Sequence, residues 1–327
     1  MSSKDPANLP ASVRARLKNK ADELGLDFNQ AIQYYTMERF LYRLSKTKWA
    51  DVLIVKGAAM LRVWDGAIAR PTRDIDFLAR IDNSPEAVAA MVRECLAVDS
   101  ADGVTFSPEV SVEPIIVEER YPGVRATISG ELSGARMRLQ LDFGVGDLAV
   151  PEPGWVDYPT LLSSDALRIL AYQPSTAVAE KFQTMIDKGL LNSRLKDYYD
   201  VWMLAGAIPF DGETLAGSIT ATFERRGTPI PSARPRELGK GFTTRPEVQM
   251  QWASFVKRME ASGVAAPPSL DEVVDGIADF IVPAAASAAA REPFVSAWVP
   301  GEGWSPVRPR QSVRACGPAA PVSPGSI

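Results

Sequence analysis

Asp74 and Asp76 stand two residues apart in the run Asp74-Ile75-Asp76-Phe77-Leu78. Side chains alternate faces along a strand, so on a strand both carboxylates point one way and Ile75 and Phe77 point into a core. Carboxylates so placed repel each other, and a divalent cation between them relieves the repulsion. An isolated Asp-x-Asp also occurs on surface strands and turns, so its meaning depends on its surroundings. Upstream, the apolar run Val52-Leu53-Ile54-Val55 stops at Lys56-Gly57. Gly57 permits a tight turn and close approach of backbone to a ligand. Ala58 to Trp64 reads as a buried helix whose first N–H groups suit a phosphate. A phosphate cradle shortly before two carboxylates is the pairing that metal-assisted nucleotidyl transfer requires.

A third carboxylate stands further on. In Arg136 to Phe143, Met137, Leu139, Leu141 and Phe143 share one face, and Arg136, Arg138, Gln140 and Asp142 share the other. Asp142 on a strand beside Asp74 and Asp76 would complete a metal site or accept a proton from an attacking hydroxyl. A strand-end aspartate capping the following turn is the alternative. The chain contains no histidine, which excludes Ser-His-Asp catalysis, His-ligated zinc and an imidazole base. Cys95 and Cys316 are too few for a disulfide framework or a thiolate zinc site. Oxygen ligands remain, and they suit magnesium.

These residues must be held by a substantial fold. The chain has 327 residues, 46% of them hydrophobic and 23% charged, values typical of globular proteins. No apolar run approaches the ~20 residues of a membrane span, and the N-terminus lacks the apolar core of a signal peptide. No membrane partner and a cytoplasmic location are therefore expected. The net charge is −4, yet residues 1–50 and 224–258 are locally basic. Those segments are either phosphate-contacting surfaces or ordinary solvated helix faces.

The pattern predicts an α/β (α+β) fold, with N-terminal helices over 1–50 and a mixed-sheet core over 51–150. A helical C-terminal part over 151–282 and a disordered Pro/Ala-rich tail over 283–327 complete it. Helices are expected at 11–24, 31–44, 86–98, 175–188 and 194–204, and strands at 51–55, 74–78, 110–117, 124–128 and 135–143. Turns are expected at Tyr121-Pro122-Gly123 and Ser133-Gly134, and a mobile basic loop at 227–245. Lys181 flanks the apolar stripe of the 175–188 helix, placed either to reach a phosphate or to extend to water. Arg194, Asp197 and Asp200 follow one another at intervals of three residues and can form a ladder along one helix.

Four segments together resemble the AbiEii/AbiGii-type (MenT-like) nucleotidyltransferase toxins: residues 35–45; Val55 to Leu61 with Thr72 to Phe77; Ala179-Glu180-Lys181-Phe182; and Arg194 to Val201. The likeness covers roughly residues 30 to 205. It implies a nucleotidyltransferase-like mixed sheet followed by helices, with Asp74 and Asp76 as the metal pair and Asp142 as third carboxylate. Gly57 and Ala58, flanked by Lys56, match the phosphate turn, although many members have Gly-Gly or Gly-Ser there. Thr72 falls at a position often Ser or Thr. Lys181, with Arg194 beside it, matches the lysine that contacts nucleotide phosphates, and Asp197 matches a late essential aspartate. The resemblance further implies a two-metal magnesium reaction with a nucleoside triphosphate, tRNA 3′ ends as acceptor, and a cognate antitoxin. Transfer to a small molecule such as an aminoglycoside or to a protein, or a degenerate non-catalytic module, are the competing expectations.

Overall fold

The computed structural model describes residues 8–65, 70–117, 121–162 and 166–307. Two helices lead: α1 (Leu9–Leu24) and α2 (Phe28–Ser45). Asp27 caps α2, accepting from the N–H groups of Asn29 and Gln30, which satisfies donors that a helix start leaves open. Then come β1 (Leu53–Lys56), α3 (Leu61–Asp65), β2 (Asp74–Ala79) and α4 (Pro85–Leu96). Strands β3 (Thr105–Phe106), β4 (Ser111–Val117), β5 (Tyr121–Leu132), β6 (Ala135–Gly144), β7 (Gly154–Asp157) and β8 (Arg168–Ala171) follow.

These strands form one sheet in the order β3-β5-β6-β2-β1-β8-β7, with β4 paired to β5. The β2–β6 and β1–β8 pairs are parallel and the rest antiparallel. The sheet is thus mixed, and β2 and β6 lie in its middle. α1, α2 and α4 pack on it around Phe40, Phe77, Met91 and Phe143, all at most 1% exposed. Phe77 and Phe143 stack across β2 and β6 with centroids 5.1 Å apart.

A second core forms among α5 (Pro174–Lys188), α6 (Leu195–Ala207), α7 (Gly212–Arg225), the short α8 (Lys240–Thr243), α9 (Pro246–Ala261) and α10 (Leu270–Ala290). Between α6 and α7 lies β9 (Phe210–Asp211), and after α10 come β10 (Ser296–Val299) and β11 (Gly303–Pro306). α10 is long and apolar enough to cross a membrane by length and composition. Here Val273, Ile277, Phe280 and Ile281 are buried in the second core.

Several expectations require correction. The segment 121–123 is strand, not turn: Tyr121 and Pro122 pair with Val117 and Ile116, and the connection falls at 118–120, outside the described residues. The basic stretch 227–245 carries α8 and the buried Leu238 and Phe242, because Phe242 stacks on Tyr198 at 5.1 Å. The expected disordered tail is structured as far as residue 307. α10 runs through Pro283, whose missing N–H faces an exposed turn where the carbonyl of Asp279 can meet water. β9, β10 and β11 form a small antiparallel sheet. Trp298 on β10 is 9% exposed, donates to the Ala205 carbonyl at 2.7 Å and meets the Phe280 ring edge-on at 5.0 Å. Residues 308–327 lie outside the described structure. Truncating a buried tryptophan leaves a cavity, so Trp298→Ala is expected to cost about 3–5 kcal/mol in urea denaturation. A dispensable tail would give no change.

Candidate active site

Between the sheet and the second core opens a cavity of about 590 Å³. Lys56, Gly57, Ala58, Asp74, Asp76, Asp142, Lys181, Arg194 and Asp197 all line it. Thr72 stands just outside and donates to Asp74 Oδ1. The sheet register explains the acidic side. β2 and β6 run parallel with Asp76 opposite Asp142 and Asp74 opposite Gln140, so strand alternation puts all three carboxylates on the face turned to the cavity. Ile75 and Phe77, on the other face, are fully buried.

Burial first, then the charges of Asp74 and Asp142, push the Asp76 carboxyl up to about 7. Carboxylates crowded in this way are what a hard cation relieves. The three do not close into a cage: among the described residues no group of three or more His, Cys, Asp or Glu side chains is gathered tightly enough to hold a metal ion. Arg125 on β5 grips both Asp142 oxygens at 2.7 Å. Magnesium characteristically uses one or two carboxylates and completes its shell with water and substrate phosphates. The donor set of Asp74 and Asp76 fits that open mode.

Gly57 ties the turn to this acidic face. Its φ is +69°, and an added Cβ would lie 2.0 Å from Asp76 Oδ2. A side chain there is excluded both by conformation and by contact. The helix expected from Ala58 is instead a 3-10 turn, Gly57–Met60, followed by the five-residue α3. A dipole so short adds little, and phosphate binding there falls to local N–H groups. No side chain caps the start of this turn. Lys56 is 5% exposed and its ammonium lies 3.2 Å from Glu180 and 3.7 Å from Asp147. Asp147 also binds Arg226 at 2.7 Å. Burial alone would raise Asp147, but Lys56 and Arg226 outweigh it and bring the carboxyl down to about 2. This buried network fixes the end of β1 against α5 and α7.

The opposite wall is cationic. Lys181 on α5 bonds Asp197 at 2.9 Å and Asp200 at 2.7 Å. Arg194, at the N-cap of α6, donates from Nε to Asp197 at 2.8 Å. Arg70 binds Asp200 through Nε at 2.6 Å and Nη2 at 2.9 Å. Burial would raise both carboxyls; Lys181 and Arg194 hold Asp197 below the usual range, as Arg70 and Lys181 hold Asp200. The same partners overcome burial to keep Lys181 protonated more firmly than usual. The Arg194–Asp197 rung of the expected intrahelical ladder exists. The rest of the ladder runs across to α5 and to Arg70. Asp197 and Asp200 are at most 1% exposed, so they act by orienting cations. Arg70, Arg125, Glu180 and Lys196 also line the cavity and were not singled out from sequence for this role.

Part of each basic segment is committed within the chain. Arg226, Arg234, Arg236, Lys240 and Arg245 all form ion pairs, as do Lys18, Lys20, Arg43 and Lys48.

Comparison with known proteins gives one family match. Residues 39–276 match the model described as nucleotidyl transferase AbiEii toxin, type IV TA system. No curated protein matches the chain. Among solved structures, one assigned as a nucleotidyltransferase from H. pylori is similar at 12% identity and TM-score 0.48, covering 81% of this chain and 97% of the other. JHP933 from Helicobacter pylori is similar at 12% identity and TM-score 0.46, covering 81% and 94%.

Proposed function

Because the chain belongs to the AbiEii nucleotidyl transferase toxin family of type IV toxin–antitoxin systems, we propose that it is a magnesium-dependent toxin that transfers a nucleotide from a triphosphate to the 3′ hydroxyl of tRNA. One observation carries this reading: a glycine turn, an acidic strand pair and a lysine–arginine wall face one another across a single cavity. Asp74 and Asp76 would hold the ion, and Asp142, oriented by Arg125, would supply a further ligand or accept the proton. Magnesium bound there would supply neutralisation of phosphate charge and a lowered pKa for the acceptor hydroxyl. The turn at Gly57-Ala58, with Lys181 and Arg194, binds the triphosphate; Asp197 and Asp200 set the direction of those two cations. Lys56 contributes by fixing the turn from within its buried network.

In the reaction, the acceptor oxygen attacks the α-phosphorus. A new P–O bond forms, the bond from the α-phosphorus to its bridging oxygen breaks, and pyrophosphate leaves. The acceptor proton passes to a cavity carboxylate or to water. Blocking the 3′ end of tRNA prevents aminoacylation, which accounts for toxicity and for the need of a cognate antitoxin.

Incubation with total tRNA and each labelled triphosphate in turn, with magnesium and then with EDTA, tests the proposal. Magnesium-dependent labelling of RNA with one preferred nucleotide is expected. Labelling of protein, or of an aminoglycoside and not of RNA, would contradict the acceptor. Failure to bind any triphosphate would mark a degenerate module.

Gly57→Ala is expected to reduce transfer by at least about tenfold, because the methyl displaces the Asp76 carboxylate, and to cost about 1–3 kcal/mol of backbone strain. Single-turnover rates and urea melts read the two effects separately.

A further inference from the structure

The catalytic cavity does not stand alone. It shares Arg70, Arg194 and Lys196 with a larger cavity of about 880 Å³ beside α6 and α9. That cavity shares Pro71, Ala261 and Ser262 with a third, of about 470 Å³, which reaches the outer half of β6. The three make one continuous groove. Its charge is uneven. Asp27 is used as the α2 cap and Glu247 pairs with Arg245, whereas Arg73, Arg138, Lys196 and Arg258 form no ion pair with a described residue. Arg138 and Arg258 are exposed. On a chain of net charge −4, these four exposed cations concentrate positive charge on the way to the reacting centre, where the charge of Lys196 already acts on Asp76.

β6 gives the groove a direction. Arg138 lies on the same strand face as Asp142, four residues away, about 13 Å at ~3.3 Å per residue. In the largest cavity, which adjoins the other two, the exposed Met250 of α9 offers apolar surface in the same lining as Arg258 and Lys196. Cations that follow a backbone, with apolar platforms for bases, are the features that grip single-stranded nucleic acid. We propose that this groove holds the single-stranded 3′ segment of the RNA acceptor, with phosphates on Arg73, Arg138, Lys196 and Arg258 and a base against Met250. The proposal rests on reading the adjoining cavity as the nucleotidyl-transfer site, and within the basic 224–258 segment it assigns RNA contact to Arg258 and not to Arg226, Arg234, Arg236, Lys240 and Arg245, which are internally paired.

The test uses the full chain and fluorescence anisotropy with a labelled single-stranded RNA carrying a free 3′ hydroxyl, over a salt series. Arg138→Gln/Arg258→Gln removes two charges from the groove without touching the catalytic cavity. Arg234→Gln/Lys240→Gln removes two from the paired segment as control. The groove variant is expected to bind RNA on the order of tenfold more weakly and to lose about 1.4 from the salt slope, at ~0.7 per single-strand phosphate contact, while triphosphate binding stays at the wild-type level. The control should bind as wild type. Equal RNA binding by the groove variant, or an equal loss in the control, overturns the groove assignment. A wild-type protein that binds triphosphate but no RNA also overturns it. A wild-type protein that binds neither overturns the functional reading beneath it.

Discussion

Asp74→Ala is expected to lower transfer on the order of a thousandfold or more, equivalent to at least about 4 kcal/mol of transition-state stabilisation, with the fold retained. The side chain accepts from the Thr72 hydroxyl, and Arg70 and Arg125, which feel its charge, keep their own partners Asp200 and Asp142, so no buried partner is orphaned. Burial first, and then the charges of Asp74 and Asp142, push Asp76 up to about 7, and removing Asp74 relieves part of that repulsion, so stability should hold or rise slightly. Manganese binding followed by electron paramagnetic resonance should disappear with activity, while circular dichroism and the melting temperature remain those of wild type. Asp74→Asn, which keeps shape and removes charge, should behave the same way. A variant with full activity would remove Asp74 from the metal site.

Asp200→Ala is expected to have the opposite profile, failing first in stability. Asp200 is fully buried and satisfies both Arg70 and Lys181. Removing the carboxylate leaves the buried Arg70 without the carboxylate it grips and Lys181 with Asp197 alone, and breaking a buried pair in this way costs about 3–5 kcal/mol. The pH dependence follows from its depressed pKa. A carboxyl whose folded pKa lies below its unfolded value of ~3.9 contributes stability that is fully present above that value and is lost as pH falls through the folded pKa. The wild type should therefore hold this contribution from neutral pH down to about 4 and lose it only in stronger acid, whereas Asp200→Ala lacks it throughout. Urea unfolding free energies compared at several pH values check this. A difference that grew as pH fell would have the wrong sign and contradict the assignment.

The acidic face was legible because it is local. Strand alternation alone sets Asp74 and Asp76 on one side, and the hairpin turn at Ser133-Gly134 fixes the register of the strands around it. Both turn residues have positive φ, 47° and 82°, as a two-residue hairpin demands. Counting outward equally from that turn pairs Arg125 with Asp142, so even the Arg125 clamp was readable in principle. Gly57 was legible as a turn, but its contact with Asp76 was not, since this depends on how β1 and β2 pair. Arg70 and Asp200 are 130 residues apart, and no periodicity joins them. The C-terminal sheet was hidden by composition: proline and alanine around it suggest disorder, whereas its order comes from Trp298 and Trp304 packing on Phe280, a long-range event.

The most direct test of the central proposal follows a triphosphate labelled at its α-phosphate, with magnesium and two RNA acceptors identical except that one has a chemically blocked 3′ terminus. Label should enter only the RNA with the free 3′ hydroxyl, with one pyrophosphate released for each nucleotide added. Equal labelling of the blocked RNA, or label found on protein with none on RNA, would contradict transfer to the RNA 3′ end.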